Sequence, residues 1–250
     1  LCNGHSAPGF LMPDGTTRMK FKAEPVYQMA RIGTFREQVV CSTENLVPVR
    51  KDLPWTIAAV IGCSVATGIG AVTRAAKVEA GASVLVVGCG GVGLNIVQGA
   101  KLVGAGKIIA VDLLDNKLEY AKKFGATHTI NGKTENVVKA VRAITGGGVD
   151  YAFDTAGIPA VLQAVMQCLG PHGTFGIVGI SPPGTPVPGD MGQVMTFGHT
   201  IKGIIEGDSD PDLFIPELMR LYSEGRLPLE KLVIRSRMYM AYTSVLLDRK

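Results

Sequence analysis

Glycines at the first, third and sixth places of Gly88-Cys89-Gly90-Gly91-Val92-Gly93 lie between an apolar run, Ser83 to Val87, and a helix-like stretch beginning at Leu94. Strand, G-x-G-x-x-G turn and helix in that order make a backbone cradle for a diphosphate. Gly88 permits the tight turn, Gly90 lets backbone approach the phosphates, and Gly93 lets the helix pack closely on the strand. The helix start at Gly91 and Val92 offers unpaired N–H groups and a partial positive charge. Nineteen residues past Gly93, Asp112 ends the next apolar run, where a carboxylate can accept hydrogen bonds from both hydroxyls of an adenosine ribose. Together these residues predict a dinucleotide site. A 2′-phosphate carries about −1.5 to −2 charges and would face that carboxylate. Leu113 and Leu114 leave no arginine beside it, so NAD is expected rather than NADP. Lys117, on the same turn, either bonds a ribose hydroxyl or is a solvated helix lysine.

These residues need a parallel sheet to hold them. From Ser83 onward, apolar strand-like runs alternate with longer helical patterns, which is the rhythm of βαβ units. Strands are predicted at Ser83–Val87, Lys107–Val111, Thr127–Ile130, Val149–Phe153, Thr174–Val178 and His199–Ile204. Helices are predicted near Gly91–Val103, Asp115–Phe124, Glu135–Thr145, Pro159–Cys168 and Pro211–Gly225, most ending close to a glycine that can terminate them. The expected fold class is α/β, a Rossmann doubly wound parallel sheet of six strands. Residues 1 to about 55 read differently, as short β-like runs broken by Pro13-Asp14-Gly15, Gly33-Thr34-Phe35, Pro48 and Pro54.

Composition excludes several classes. The 250 residues are 46% hydrophobic and 18% charged, without a low-complexity tract, so the chain is neither disordered nor fibrous. A net charge of +4 is spread along the sequence, and no basic stripe marks a nucleic-acid partner. Two uncharged stretches, Trp55 to Thr73 and Ala80 to Ala100, approach the ~20 residues of a membrane span. Their glycines, with Asn95 and Gln98 in the second, argue for buried core instead of a lipid-facing helix. Five cysteines at irregular spacing and no secretory leader point to a reducing cytoplasm. The chain opens at Leu1 in a turn-rich loop, as a fragment would.

Gly62-Cys63-Ser64-Val65-Ala66-Thr67-Gly68-Ile69-Gly70-Ala71 precedes the glycine loop. Gly125-Ala126-Thr127-His128, Gly147-Gly148-Val149-Asp150, Phe153-Asp154-Thr155-Ala156-Gly157 and Val178-Gly179-Ile180 follow it in order. With Gly33-Thr34-Phe35, these segments resemble the medium-chain, zinc-containing alcohol dehydrogenase family over residues 1 to about 233. Ile201 to Ser209, followed by Phe214-Ile215-Pro216, is similar to the branch acting on benzyl-type alcohols.

The resemblance implies three segments: residues 1–64 as part of a β-rich GroES-like catalytic domain, 65–205 as the NAD-binding Rossmann domain, and 206–250 as a return segment, atypical after 233. It implies NAD and zinc as cofactors and an alcohol or aldehyde as substrate. Cys63 is implied as a thiolate ligand of catalytic zinc, whereas a cysteine in such an apolar segment, taken alone, is usually an inert packing residue. Thr67 would sit beside the nicotinamide, and Thr155, Ala156, Gly157, Val178, Gly179 and Ile180 would line the cofactor from strand ends. Cys2 matches the last cysteine of the family's structural zinc lobe, and a free surface cysteine is its alternative. Cys41, Cys89 and Cys168, and His5, His128, His172 and His199, read as structural.

In the family, the remaining catalytic-zinc ligands and the proton relay come from a front portion that this sequence lacks. The implied reading is therefore a hydride-transferring alcohol dehydrogenase in incomplete form, the fragment itself inactive. When complete it would be a dimer or tetramer, with Thr200 to Ile205 as an edge that could pair with its copy. A non-catalytic NAD-binding module and a zinc-free quinone or enoyl reductase are the alternatives.

Overall fold

All six strands expected between Ser83 and Ile204 form and pair in parallel. They belong to a computed structural model that describes residues 11–12, 14–27, 32, 38, 39, 41 and 43–233. Cys2, Gly33-Thr34-Phe35 and the atypical tail after Val233 lie outside the described residues. The chain divides between Arg50 and Lys51 into two compact units. In the first, β1 (Met19–Phe21) and β2 (Glu24–Val26) form an antiparallel hairpin, turning through Lys22 and Ala23 at positive φ.

The second unit holds the sheet. Its strands are β3 (Ser83–Val87), β4 (Lys107–Asp112), β5 (His128–Asn131), β6 (Val149–Asp154), β7 (Leu169–Ile177) and β8 (Thr200–Gly203), in the order β5-β4-β3-β6-β7-β8. The crossovers are α3 (Gly91–Leu102), α4 (Asp115–Phe124), α5 (Val137–Thr145), α6 (Pro159–Met166) and α7 (Met191–Phe197). After β5 the chain recrosses the sheet to begin β6 against β3. The carboxyl ends of β3 and β6 therefore flank the switch point, where open α/β sheets bind ligands.

Continuous apolar runs become strands because both faces are covered. Alternate side chains feed two cores. Val84, Val86, Ile108 and Ala110 join Leu94, Val97, Leu118 and Phe124 on one face, while Leu85, Val87, Ile109 and Val111 join Val141, Leu162 and Val165 on the other. Val86 and Ile109 are fully buried among apolar side chains, so a charge placed at either would be buried without a partner. At α4 and α5 the predicted stops hold, with Gly125 and Gly146 at positive φ closing the helices.

Three departures have physical causes. β7 begins at Leu169, five residues before its expected start, because Gly170 to Gly173 stay in the strand through an irregularity. There Val149 pairs with Leu169 but Tyr151 pairs with Thr174, and His172 takes a φ of 59°. α7 escaped notice because it buries no residue and so shows no core-facing period, although Asp190 caps its start and Gly198 its end.

The third departure is Trp55–Ala75, which is one continuous helix despite its glycines. It comprises α1 (Trp55–Val60), α2 (Ala66–Gly70) and two π-helical stretches, Ile61–Val65 and Ala71–Ala75. Among the described residues it is the one helix long and apolar enough to cross a membrane. Its apolar side chains instead enter the core: Ile57, Ile61, Val65, Ile69 and Val72 pack with those of α3 and of α8 (Pro211–Ser223). Two of its glycines mark close approaches. A Cβ on Gly68 would lie 2.7 Å from the Val92 carbonyl oxygen, and one on Gly70 would lie 2.7 Å from Gly207 Cα. Residues 206–233 belong to the same unit, with Phe214, Leu218, Leu227 and Leu229 buried in that core.

Candidate cofactor and active site

β3 runs into the glycine loop, where close contacts restrict two positions to glycine. Gly88 has a φ of 94°, and a side chain on it would collide with Thr155 Oγ1. A Cβ on Gly93 would fall far inside contact distance of the Gly88 carbonyl oxygen and 2.9 Å from its carbon. Gly90, by contrast, has nothing within 4 Å of such an atom. Its open side and the uncapped start of α3 leave backbone N–H groups facing free space. That is the cradle a diphosphate needs.

Asp112 sits at the end of β4 with its side chain only 10% exposed. Its Oδ2 accepts from Cys89 N at 2.8 Å, and its Oδ1 accepts from Leu113 N at 2.8 Å and Leu114 N at 3.1 Å. A carboxylate has about four acceptor positions, so capacity remains for a ligand hydroxyl. Lys117 Nζ stands 4.0 Å from Oδ2. A cavity of about 680 Å³ opens at this end of the sheet. Gly88, Gly90, Asp112, Lys117, Thr155 and Ala156 line it, with apolar walls from Leu113, Leu114 and Ile158. Six of the residues singled out in the sequence thus share one cavity, and NAD fits what they offer. Gly91, Val92 and Gly93 shape the cradle from the adjoining helix start.

The loops after β6 and β7 are locked to this frame. Thr155 donates through Oγ1 to the carbonyls of Val87 and Gly88 at 3.0 and 3.1 Å. Asp154, fully buried, accepts from Gly157 N through Oδ2 at 2.7 Å, and its main-chain oxygen accepts from Val178 N and Gly179 N. A side chain on Gly157 would strike Ile180 backbone, and one on Gly179 would strike Gly157. Thr155, Ala156 and Gly157 therefore face Val178, Gly179 and Ile180 at one point. Burial pushes the Asp154 carboxyl up, against the lowering effect of the Gly157 and Ala156 N–H groups. Asp154 was legible only as part of a motif, since its role is to hold these loops rather than to meet a ligand.

Cys63 and Thr67, one helical turn apart, both meet Glu206. The Cys63 thiol donates to Glu206 Oε1 at 3.9 Å and Thr67 Oγ1 donates to Oε2 at 3.3 Å. Burial raises the Cys63 thiol, and the Glu206 charge and hydrogen bond raise it further. Burial also raises the Glu206 carboxyl, opposed by the bonds from Thr67 and Cys63. Sequence reasoning quoted Glu206 within a motif without giving it a role. Among the described residues no group of three His, Cys, Asp or Glu side chains could hold a metal ion. One thiol beside one carboxylate falls short of the three protein ligands of a catalytic zinc, so these residues alone do not fit that metal.

Two other described thiols, Cys89 and Cys168, differ in kind. Burial pushes Cys89 up to about 12, helped by the Asp112 charge, and pushes Cys168 up to about 12 as well. Near pH 8 about one in ten thousand of either thiol would be thiolate. Both are expected to stay unmodified by iodoacetamide in the folded protein and to react only in denaturant, as peptide mass spectrometry would read. Native-state labelling of Cys89 would contradict its burial. Of the histidines, His199 meets the Gly170 carbonyl through Nε2 at 3.1 Å.

Residues 91–224, more than half of the chain and the part carrying α3, Asp112 and the β6 and β7 loops, match the zinc-binding dehydrogenase family. The chain belongs to that family. The chain is 37% identical over 234 residues to S-(hydroxymethyl)glutathione dehydrogenase of Paracoccus denitrificans, covering 89% of the chain and 62% of the relative. The solved benzyl alcohol dehydrogenase of Acinetobacter calcoaceticus is 42% identical with a TM-score of 0.72, over 74% of this chain and 51% of its own. A zinc-binding-domain alcohol dehydrogenase protein of Burkholderia ambifaria is 41% identical with a TM-score of 0.82, over 90% of this chain and 61% of its own. The chain thus spans about half to three fifths of the length of these relatives.

Proposed function

We propose that this chain is the NAD-binding part of a cytoplasmic, zinc-dependent alcohol dehydrogenase that moves hydride between a primary aromatic alcohol, or its aldehyde, and NAD. The observation that carries the reading is the pairing of a tight turn that only glycine fits at Gly88 and Gly93 with the Asp112 carboxylate at one end of the sheet. NAD, when bound, supplies the hydride acceptor. The chain's own residues do the rest. Helix α3 and the N–H groups at Gly91 and Val92 hold the diphosphate, and Asp112 accepts the ribose hydroxyls with Lys117 beside it. Thr155 to Gly157 and Val178 to Ile180 orient the far half of the cofactor, where Thr67 adjoins the nicotinamide. The aromatic substrate is supported by the similarity to a benzyl alcohol dehydrogenase. The edge of β8, the last strand of the sheet among the described residues, is the surface proposed to pair with a second copy.

Residues 1–64 are proposed as part of the catalytic domain, 65–205 as the NAD domain and 206–250 as the return segment. Cys63 is proposed as one ligand of the zinc, and Cys2 as one ligand of a separate structural zinc. The described residues do not complete either site. Where the catalytic ligand set is complete, Cys63→Ser is expected to lower bound zinc and benzyl alcohol oxidation together, both by more than tenfold, while NAD affinity changes little. Metal analysis, absorbance of reduced nicotinamide and calorimetry read the three quantities. Unchanged zinc and rate in that variant would return Cys63 to core packing. The 250 residues alone, given NAD, zinc and benzyl alcohol, are expected to bind NAD without turnover.

A further inference from the structure

Glu206, Gly207 and Asp208 run consecutively at φ of 49°, 69° and 49°. Two of the three carry side chains in the left-handed region, which L-residues adopt only at a steric cost. Such a turn persists only where the surroundings over-determine it, and they do so here. Gly207 lies against Gly70 of α2 so closely that a Cβ on Gly207 would sit 2.7 Å from Gly70 Cα, with Ala66 backbone nearer still. Lys202 Nζ, from β8, pairs with Asp208 Oδ2 at 3.0 Å and donates to the Ala75 carbonyl at the end of the same helix, also at 3.0 Å. The turn is thereby fixed to the helix at two points, and what it delivers is the Glu206 carboxylate onto Thr67 and Cys63.

The neighbouring face of that helix fixes where this lies. Ser64 and Gly68, each next in sequence to Cys63 and Thr67, meet the first turn of α3: a Cβ on Gly91 would be 3.5 Å from Ser64 Cβ, and one on Gly68 would be 2.7 Å from the Val92 oxygen. Glu206 therefore acts beside the diphosphate cradle, whereas Asp112 holds the adenosine end. Thr67 is buried, at 7% exposure. With its hydroxyl proton committed to Glu206 Oε2, its rotamer is set and its remaining lone pairs and methyl group are presented in one orientation.

We propose that Glu206 is a positioning residue for the nicotinamide half of the cofactor, acting through the hydroxyl of Thr67. The inference rests on the proposed dinucleotide site and adds a residue to it. The required group is a hydrogen-bond acceptor, so glutamine serves and alanine does not.

The test compares NAD with ADP-ribose, which lacks the nicotinamide, by calorimetry on the 250-residue chain. Glu206→Ala is expected to weaken NAD about fivefold or more, the worth of one hydrogen bond, and to leave ADP-ribose unchanged. Glu206→Gln should restore the ratio of the two affinities, and Thr67→Val should reproduce the alanine result without adding to it in the double variant. A purely structural role would move both ligands alike. Equal weakening of NAD and ADP-ribose, an unchanged ratio in Glu206→Ala, or additive losses in the double variant would overturn the proposal. Should the unmutated chain bind neither ligand, the dinucleotide reading itself fails and this inference with it. Binding of both ligands with no change in ratio removes Glu206 alone.

Discussion

Gly93→Ala is expected to abolish measurable NAD binding and to cost about 3 kcal/mol or more of stability, at the upper end of what overpacking a close contact does. The new methyl group would sit on the Gly88 carbonyl group. That is backbone of the neighbouring turn, so no side-chain rotation relieves it, and the loop or α3 must shift. Gly88 is itself bracketed by Thr155 Oγ1 and by its own N–H bond to the Val111 carbonyl. The displacement would therefore spread to β4 and β6. Gly90→Ala is the control: its Cβ meets open space, and its φ of −79° suits any residue. That variant should keep its denaturation midpoint and lose affinity only, because the methyl group occupies the approach to the phosphates. Equal stability of Gly93→Ala and the unmutated chain would show that the cradle is looser than described.

The second large effect concerns cofactor choice. Asp112→Asn removes the charge but keeps an oxygen for the Leu113 and Leu114 N–H groups, whereas Asp112→Gly would unpair all three donors and disturb the loop as well. Asparagine is thus the cleaner probe. Like charges a few ångströms apart near a protein surface repel by about 4 kcal/mol before screening, so removing one is expected to raise NADP affinity by about tenfold or more. NAD should weaken by less, through the loss of an ionised acceptor for the ribose hydroxyls. Parallel calorimetric titrations read both. A variant whose ratio of NAD to NADP affinity equals that of the unmutated chain would remove Asp112 from the discrimination.

How far the sequence carried the reading differs by region, for physical reasons. The sheet was legible because β3 and β4 are buried on both faces, so the runs Val84–Val87 and Ile108–Val111 are uninterrupted and bounded by turns. The glycine loop was legible because its spacing answers to backbone geometry within a few residues. β7 was cut short in the reading because Pro171 and two flanking glycines resemble a turn, and only pairing with β6 reveals the irregularity that keeps them in the strand. Trp55–Ala75 was read as core but not as a helix, since Gly68 and Gly70 look like breakers until α3 and Gly207 are seen pressed against them. Glu206 was beyond reach for a further reason. It meets Cys63 and Thr67 across sequence separations of 143 and 139 residues, and no local pattern encodes such a contact.

The central claim is that this chain carries a site for NAD built on Gly88 to Gly93 and Asp112. Titration calorimetry of the unmutated 250-residue protein with NAD, and then with NADP, tests it most directly. The account predicts saturable binding of NAD at one site, with NADP at least tenfold weaker because its 2′-phosphate faces the Asp112 carboxylate. Equal affinity for the two cofactors, or no saturable NAD binding by folded protein, would contradict it.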